Sequence, residues 1–211
     1  MIASLISFER DLLRTLTRRV CILTLNQIAS GWWPAIRRLQ GVRQQLRRLE
    51  VAGLVEVDCI NAHPLLAVDR PLFAWQPGQP DPDVEVISKA TRERWNLPAV
   101  PTWVCVALPR AANLFGSTAC GLPKMEQRDH DLRLSAVYLH YRKQHPPQAR
   151  RWVGEHARPK AGYRIKDPDA FLVDSHGRIT RLIESAGRYG PQYIERFHDH
   201  CVEYDLPYEL W

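Results

Sequence analysis

Apolar side chains recur along this chain with two different periods, and the switches between them divide it into elements. Phe8, Leu12, Leu13 and Leu16 fall on one face of a first helix over 7–16, and Thr24-Leu25-Asn26-Gln27 is a capping box that opens a second, short one before Gly31. Trp32-Trp33-Pro34 makes a bulky connection to a third helix, in which Val42, Leu46 and Leu49 form the buried stripe and which Gly53 ends. Leu54-Val55-Glu56-Val57 begins a strand. After the turn-prone Asn61-Ala62-His63-Pro64, the run Leu72-Phe73-Ala74-Trp75 is expected to return beside it as a hairpin.

The stretch Pro77-Gly78-Gln79-Pro80-Asp81-Pro82-Asp83 is dense in turn formers and poor in apolar residues, which predicts a border between two units, 1–80 and 81–211. Beyond it, 84–94 reads as a helix and the valine-rich 100–108 as a strand or buried connection. Leu134, Val137, Tyr138 and Tyr141 follow helical spacing and place a helix over 129–143, stopped before Pro146-Pro147. Three strand candidates follow at 151–156, 167–174 and 179–186, the last two joined through Ser175-His176-Gly177 as a tight turn. Pro191 opens another helix, with Ile194, Phe197, Cys201 and Tyr204 along one face, and the final Leu206-Pro207-Tyr208-Glu209-Leu210-Trp211 reads as a strand. The fold class expected is α+β.

A formal charge of +6 favours an anionic partner, yet charge alone does not separate nucleic acid from a membrane surface. Its placement says more. Residues 1–80 hold ten basic and six acidic residues against nineteen and seventeen in 81–211, so the smaller part carries most of the excess. Within it Arg37, Arg38, Arg43, Arg47 and Arg48 crowd one segment that contains no acid, and with Gln44 they offer a helix face able both to neutralise phosphates and to reach base edges. No run approaches the roughly 20 apolar residues of a membrane span, and the start of the chain does not read as a secretory signal, so a cytoplasmic protein without a membrane partner is expected. The five cysteines, Cys21, Cys59, Cys105, Cys120 and Cys201, are odd in number and far apart, which predicts reduced core thiols rather than a disulfide frame or a zinc knuckle.

Three helices followed by a two-stranded wing is the order of a winged helix-turn-helix domain, and the segment 42–57 resembles the recognition helix and first wing strand of that family, a likeness that covers about 7–78. The later order of helix, three strands, helix and strand is the core order of the PD-(D/E)XK, or restriction-endonuclease-like, fold. Asp129-His130-Asp131-Leu132, then Trp152 and Glu155, then Pro168-Asp169-Ala170, then Ile183-Glu184, resemble the replication-relaxation proteins of plasmids and other mobile elements, which pair these two domain types. In such nucleases an Asp and a Glu on adjacent strands hold magnesium, because a hard cation takes carboxylate oxygens, and a lysine two residues beyond the Glu orients or activates the attacking water.

The resemblance assigns Asp169 and Glu184 to the metal and leaves Ala186 where the lysine belongs. Lys166, Arg188 or Gln192 could supply the missing role, Glu155 a third carboxylate, and His130, one turn before Leu134, an acid or base. The alternative is a fold that kept its shape and lost its chemistry. His198 and Cys201 share a helix face and are metal-friendly, although a structural zinc site wants four ligands. Arg181, Arg188 and Arg196 read as solvated charges. The expected function is therefore a DNA-binding protein of a plasmid or mobile element, with double-stranded DNA as partner and a degenerate nuclease-like domain. A magnesium-dependent endonuclease targeted by the winged helix is the rival reading, and a protein-interaction scaffold or a homodimer on a symmetric operator are others.

Overall fold

A computed structural model describes residues 5–35, 38–65, 67–94, 97–157 and 168–211. The first helix, α1 (Ser7–Arg18), buries Leu12, Leu13 and Leu16 as its spacing requires. It leads through β1 (Ile22–Thr24) into α2 (Leu25–Trp32), whose start is the expected capping box: Thr24 Oγ1 accepts from the Gln27 N–H at 3.0 Å and Gln27 Oε1 from the Thr24 N–H at 2.8 Å. Next comes α3 (Leu39–Val51), with Val42, Leu46 and Leu49 inward. It ends at Gly53, whose φ of 66° lies in the left-handed region that a residue with a Cβ resists.

The following strand, β2 (Val55–Ala62), does not pair with Phe73–Trp75. That short segment is β3, and β2 runs antiparallel to β4 (Val100–Ala107) along its whole length, from Val55 opposite Ala107 to Ala62 opposite Val100. Strand β4 is the centre of a three-stranded sheet ordered β1-β4-β2. The expected hairpin is overturned for a physical reason. Pairing with β4 forms eight rungs and buries Val104, Cys105, Val106 and Ala107, whereas β3 offers only three residues. A longer excursion adds little closure entropy by comparison, since each doubling of loop length costs only about 0.6 kcal/mol.

Residues 63–99 are thus an insertion between two partnered strands, and the border expected at residue 80 falls inside it. The insertion carries β3 and α4 (Val84–Glu93), the latter capped by Asp83 Oδ1 on the Val86 N–H at 3.0 Å. After β4 come α5 (Pro109–Leu114), the long α6 (Met125–Gln144), α7 (Pro146–Arg150), β5 (Trp152–Gly154) and a 3-10 turn at Glu155–Ala157. Then β6 (Ala170–Val173) and β7 (Ile179–Glu184) pair through the expected turn, in which Gly177 has φ 78°, and α8 (Pro191–Glu203) and β8 (Tyr208–Leu210) finish the chain.

The second sheet is ordered β3-β8-β7-β6-β5, with β5, β6 and β7 antiparallel, β8 parallel to β7 and β3 antiparallel to β8. Alternation along its strands serves two cores. Ala170, Leu172 and Ile183 face a cluster that also holds Leu12, Leu46, Val137, Tyr138 and Trp152, so the first and second sheets share one interior. Phe171 and Leu182 face the other way, into a cluster with Ile87, Ile194 and Phe197 beneath α4 and α8.

The cysteine expectation is half corrected. Cys105 and Cys201 are buried, and burial pushes both thiols well above the usual range, but Cys21 and Cys120 are joined as a disulfide and Cys59 is exposed. His198 bonds Tyr208 Oη at 2.9 Å and Asp81 Oδ1 at 3.1 Å, which makes it a satisfied core histidine rather than a zinc ligand beside Cys201. Arg181 is likewise not a solvated charge; it pairs with Glu209 at 2.5 Å. Among the described residues no helix is long and apolar enough to cross a membrane.

Candidate functional site

Asp169 immediately precedes β6, and Glu184 is the last residue of β7. Because Ala170 pairs with Ile183, the next rung sets Asp169 opposite Glu184, and cross-strand neighbours point to the same side of a sheet. The two acids meet there, only 2% and 1% exposed. The Asp169 N–H donates to Glu184 Oε2 at 3.3 Å, and Asp169 Oδ2 accepts from the Ser185 N–H at 2.8 Å. Glu184 Oε1 accepts from Tyr189 Oη at 2.5 Å and from Tyr193 Oη at 3.4 Å. Burial first, then the charges of Glu184 and Asp169, push the Tyr189 phenol far above its ordinary range, so it is a donor to Glu184 and never a phenolate at neutral pH.

His130 reaches this pair from α6. Its Nε2 lies 2.9 Å from Asp169 Oδ2 and its Nδ1 3.1 Å from Asp131 Oδ1. The ring is thus held between two carboxyl groups, one from its own helix and one at the head of β6. Glu155 arrives by its backbone, its N–H donating to the Asp169 carbonyl at 3.0 Å. The other expected members stay outside. Ala186 is fully buried and its N–H donates to the Trp211 carbonyl, so the lysine position is closed into the sheet. Gln192 and Arg188 are exposed, and Tyr189 and Tyr193 stand over Glu184 instead. Lys166 and Arg37 lie outside the described residues.

Two further charged groups that the sequence reading missed are set into the fold beside one another. Arg133 follows His130 by one helical turn on the same face of α6, is 7% exposed, and its Nε has no hydrogen-bond partner among the described residues. Arg94, at the end of α4, has a buried Nη1 with no partner either. Burial, then the neighbouring Arg133 charge, lower the Arg94 guanidinium to about 9. A buried guanidinium nitrogen without a partner, beside a second positive charge, is costly. A charged residue in line with His130 and Val137 on a buried helix face was the available signal.

On α3 the face opposite Val42, Leu46 and Leu49 exposes Arg43, Gln44, Gln45, Arg47 and Arg48. Arg43 stacks over the Trp103 ring of β4 at 4.0 Å, which fixes its direction. Arg48 is taken up by Glu9, its Nε donating to Oε1 at 3.1 Å and its Nη2 to Oε2, so it is less free for DNA than expected. Arg38 is the exposed residue at the head of the helix.

A cleft of about 990 Å³ lies elsewhere, lined among others by Gln27, Trp103, His140, Arg142 and Lys143. It holds neither Asp169 nor Glu184, so volume and chemistry do not coincide, and the chemistry is the better guide to a site. No protein-family model, curated protein or solved structure matches the chain.

Proposed function

We propose that this protein binds duplex DNA through α3, as a winged helix does, and that its second sheet is a restriction-endonuclease-like domain whose acidic pair has lost the usual lysine. The observation that carries the first half is the α3 surface. Gln44 and Arg47 are exposed and Arg43 is aimed by its stacking on Trp103, side by side on a helix whose opposite face is core. Such a face supplies phosphate contacts and base contacts together. Apart from the insertion that carries β3 and α4, the order α1-β1-α2-α3-β2-β4, with β4 between β1 and β2, supports a winged helix. The order α6-α7-β5-β6-β7-α8-β8, with β8 parallel to β7, supports the nuclease-like fold and the resemblance to replication-relaxation proteins. Changing Arg43 and Arg47 together to Ala is expected to weaken duplex binding and to flatten the log-log salt dependence by up to about 2, roughly 0.9 per phosphate contact. Undiminished binding at low salt removes this reading.

A metal-dependent endonuclease is the second reading, and the convergence of Asp169 and Glu184 on one side of adjacent strands favours it. Their oxygens suit a hard cation, so these two residues would hold magnesium, which would there polarise a phosphate oxygen and activate water. The protein's own groups have separate tasks. Tyr189 holds the Glu184 carboxylate by a 2.5 Å bond, and His130 holds Asp169. Plasmid DNA incubated with magnesium or manganese distinguishes the readings. Cutting by the parent and not by an Asp169→Ala, Glu184→Ala variant establishes an enzyme, and equal inertness of the two establishes a degenerate site.

A further inference from the structure

Away from the acidic pair, Cys21 Sγ, Cys120 Sγ and a nitrogen of His156 lie within 4.8 Å of one another. Three separate parts of the chain deliver them. Cys21 lies between α1 and β1, Cys120 in the loop after α5, and His156 in the 3-10 turn that follows β5. The histidine is held in one tautomer. Its Nε2 lies 3.2 Å from the Thr17 carbonyl, which can only accept, so the ring proton sits on Nε2. That leaves the Nδ1 lone pair directed at Cys21 Sγ, 3.5 Å away. A ring whose other N–H is fixed by a carbonyl is the arrangement found behind metal-binding histidines.

The surrounding backbone is shaped to this approach. A Cβ on Gly154 would come within 2.6 Å of the Arg19 carbonyl and 2.9 Å of His156 Nδ1, so the ring is seated where only glycine leaves room. The Thr17 carbonyl that holds the ring also accepts from Ser117 Oγ at 2.5 Å, which brings the loop carrying Cys120 to the same point.

We propose that the dithiol form of this cluster is a zinc site, with Cys21, Cys120 and His156 as ligands and a water in the fourth position. Reduction by a phosphine or thiol adds two electrons and two protons to the disulfide and yields two thiols. Zinc then replaces those two protons, and each sulfur binds as thiolate. Two thiolates and one imidazole suit a borderline-soft tetrahedral ion, with Zn–S near 2.3 Å and Zn–N near 2.0 Å, and do not suit magnesium. In a reducing solution the ion takes over the task of the disulfide, clamping the loop after α5 and the turn after β5 to the end of α1. The proposal is independent of DNA binding and of the acidic pair.

The test uses the full chain, reduced by a phosphine, given zinc and then dialysed free of excess. One zinc per chain is expected by elemental analysis, and none on the disulfide form. Cobalt in its place is expected to show the visible bands of a tetrahedral site together with thiolate-to-metal charge transfer. His156→Gln, which keeps a donor for the Thr17 carbonyl, is expected to weaken zinc binding by about tenfold or more. Cys59→Ser is expected to change nothing. The proposal is overturned if the reduced parent holds no zinc, if His156→Gln holds it as tightly as the parent, or if Cys59→Ser releases it. Cobalt spectra on the unaltered protein, with far-ultraviolet circular dichroism of each variant, keep a folding defect from passing as loss of a ligand.

Discussion

Arg133 and Arg94 are residues whose charge the free protein holds at a cost. An arginine resists neutralisation, so a buried guanidinium whose Nε has no partner is a standing cost in the free protein. Arg133→Met keeps much of the length and removes the charge. It is expected to stabilise the fold by about 1–3 kcal/mol in urea unfolding, as replacement of buried charges by apolar groups does elsewhere. Inorganic phosphate should raise the unfolding midpoint of the parent at constant ionic strength and should do so far less in the variant. A variant less stable than the parent would mean that Arg133 has a partner the free protein already satisfies. His130 makes the complementary point. One histidine on an apolar helix was a bland feature of the sequence, and only the fold sets its ring between Asp131 and Asp169.

Among the elements, α3 separates a packed face from an exposed one most cleanly. Leu46 is fully buried and Arg47 exposed on the same helix, one position apart. Leu46→Ala is expected to cost about 2–5 kcal/mol of stability, whereas Arg47→Ala should stay within about 0.5 kcal/mol and yet weaken duplex binding. Chemical denaturation and a mobility shift on the same two proteins check both halves. The β6–β7 turn is the second informative element, since it sets the register that brings Asp169 to Glu184. There the Arg178 side chain, with the N–H groups of Arg178 and His176, bonds Asp174 and holds its carboxyl below the usual value. The folded-state value is depressed, so the contribution of the turn is present above the ordinary carboxyl range and is lost as pH falls through the folded value. Titration by NMR should find Asp174 below 3.8, and Arg178→Ala should move it upward.

At the scale of the whole molecule the two halves are not separable at the proline-rich stretch. Cutting at residue 80 removes β4, the central strand of the first sheet, from one piece, and takes β3 from the edge of the second sheet in the other. It also divides a core in which Leu12 and Leu46 belong with Val137, Tyr138 and Trp152. A fragment of residues 1–80 is therefore expected to lack cooperative unfolding, while the full chain unfolds in one transition seen alike by tryptophan fluorescence and circular dichroism. A folded, cooperative fragment would show that β2 and β3 can pair after all. The 99-residue separation of Cys21 and Cys120 points the same way, because a crosslink or a shared ion there ties the first sheet to the region around α5 and β5.

Local periodicity determined most of the elements. The stripes of α1, α3 and α6, the box at Thr24, the turn before Ile179 and the final strand were all legible, because each is set by which face of a short segment must leave water. In α8 Ile194, Phe197 and Cys201 are buried as expected, but Tyr204 lies just past the helix end and is exposed. The spacing also placed Asp169 and Glu184 on neighbouring strands. What it did not reach was partnership across distance. That β2 takes β4 rather than β3, that Cys21 finds Cys120, and that Tyr189 covers Glu184 while Arg94 meets Arg133, depend on contacts between residues far apart in the chain. For these, closing a long loop costs little, and the depth of burial and the number of rungs gained decide the outcome.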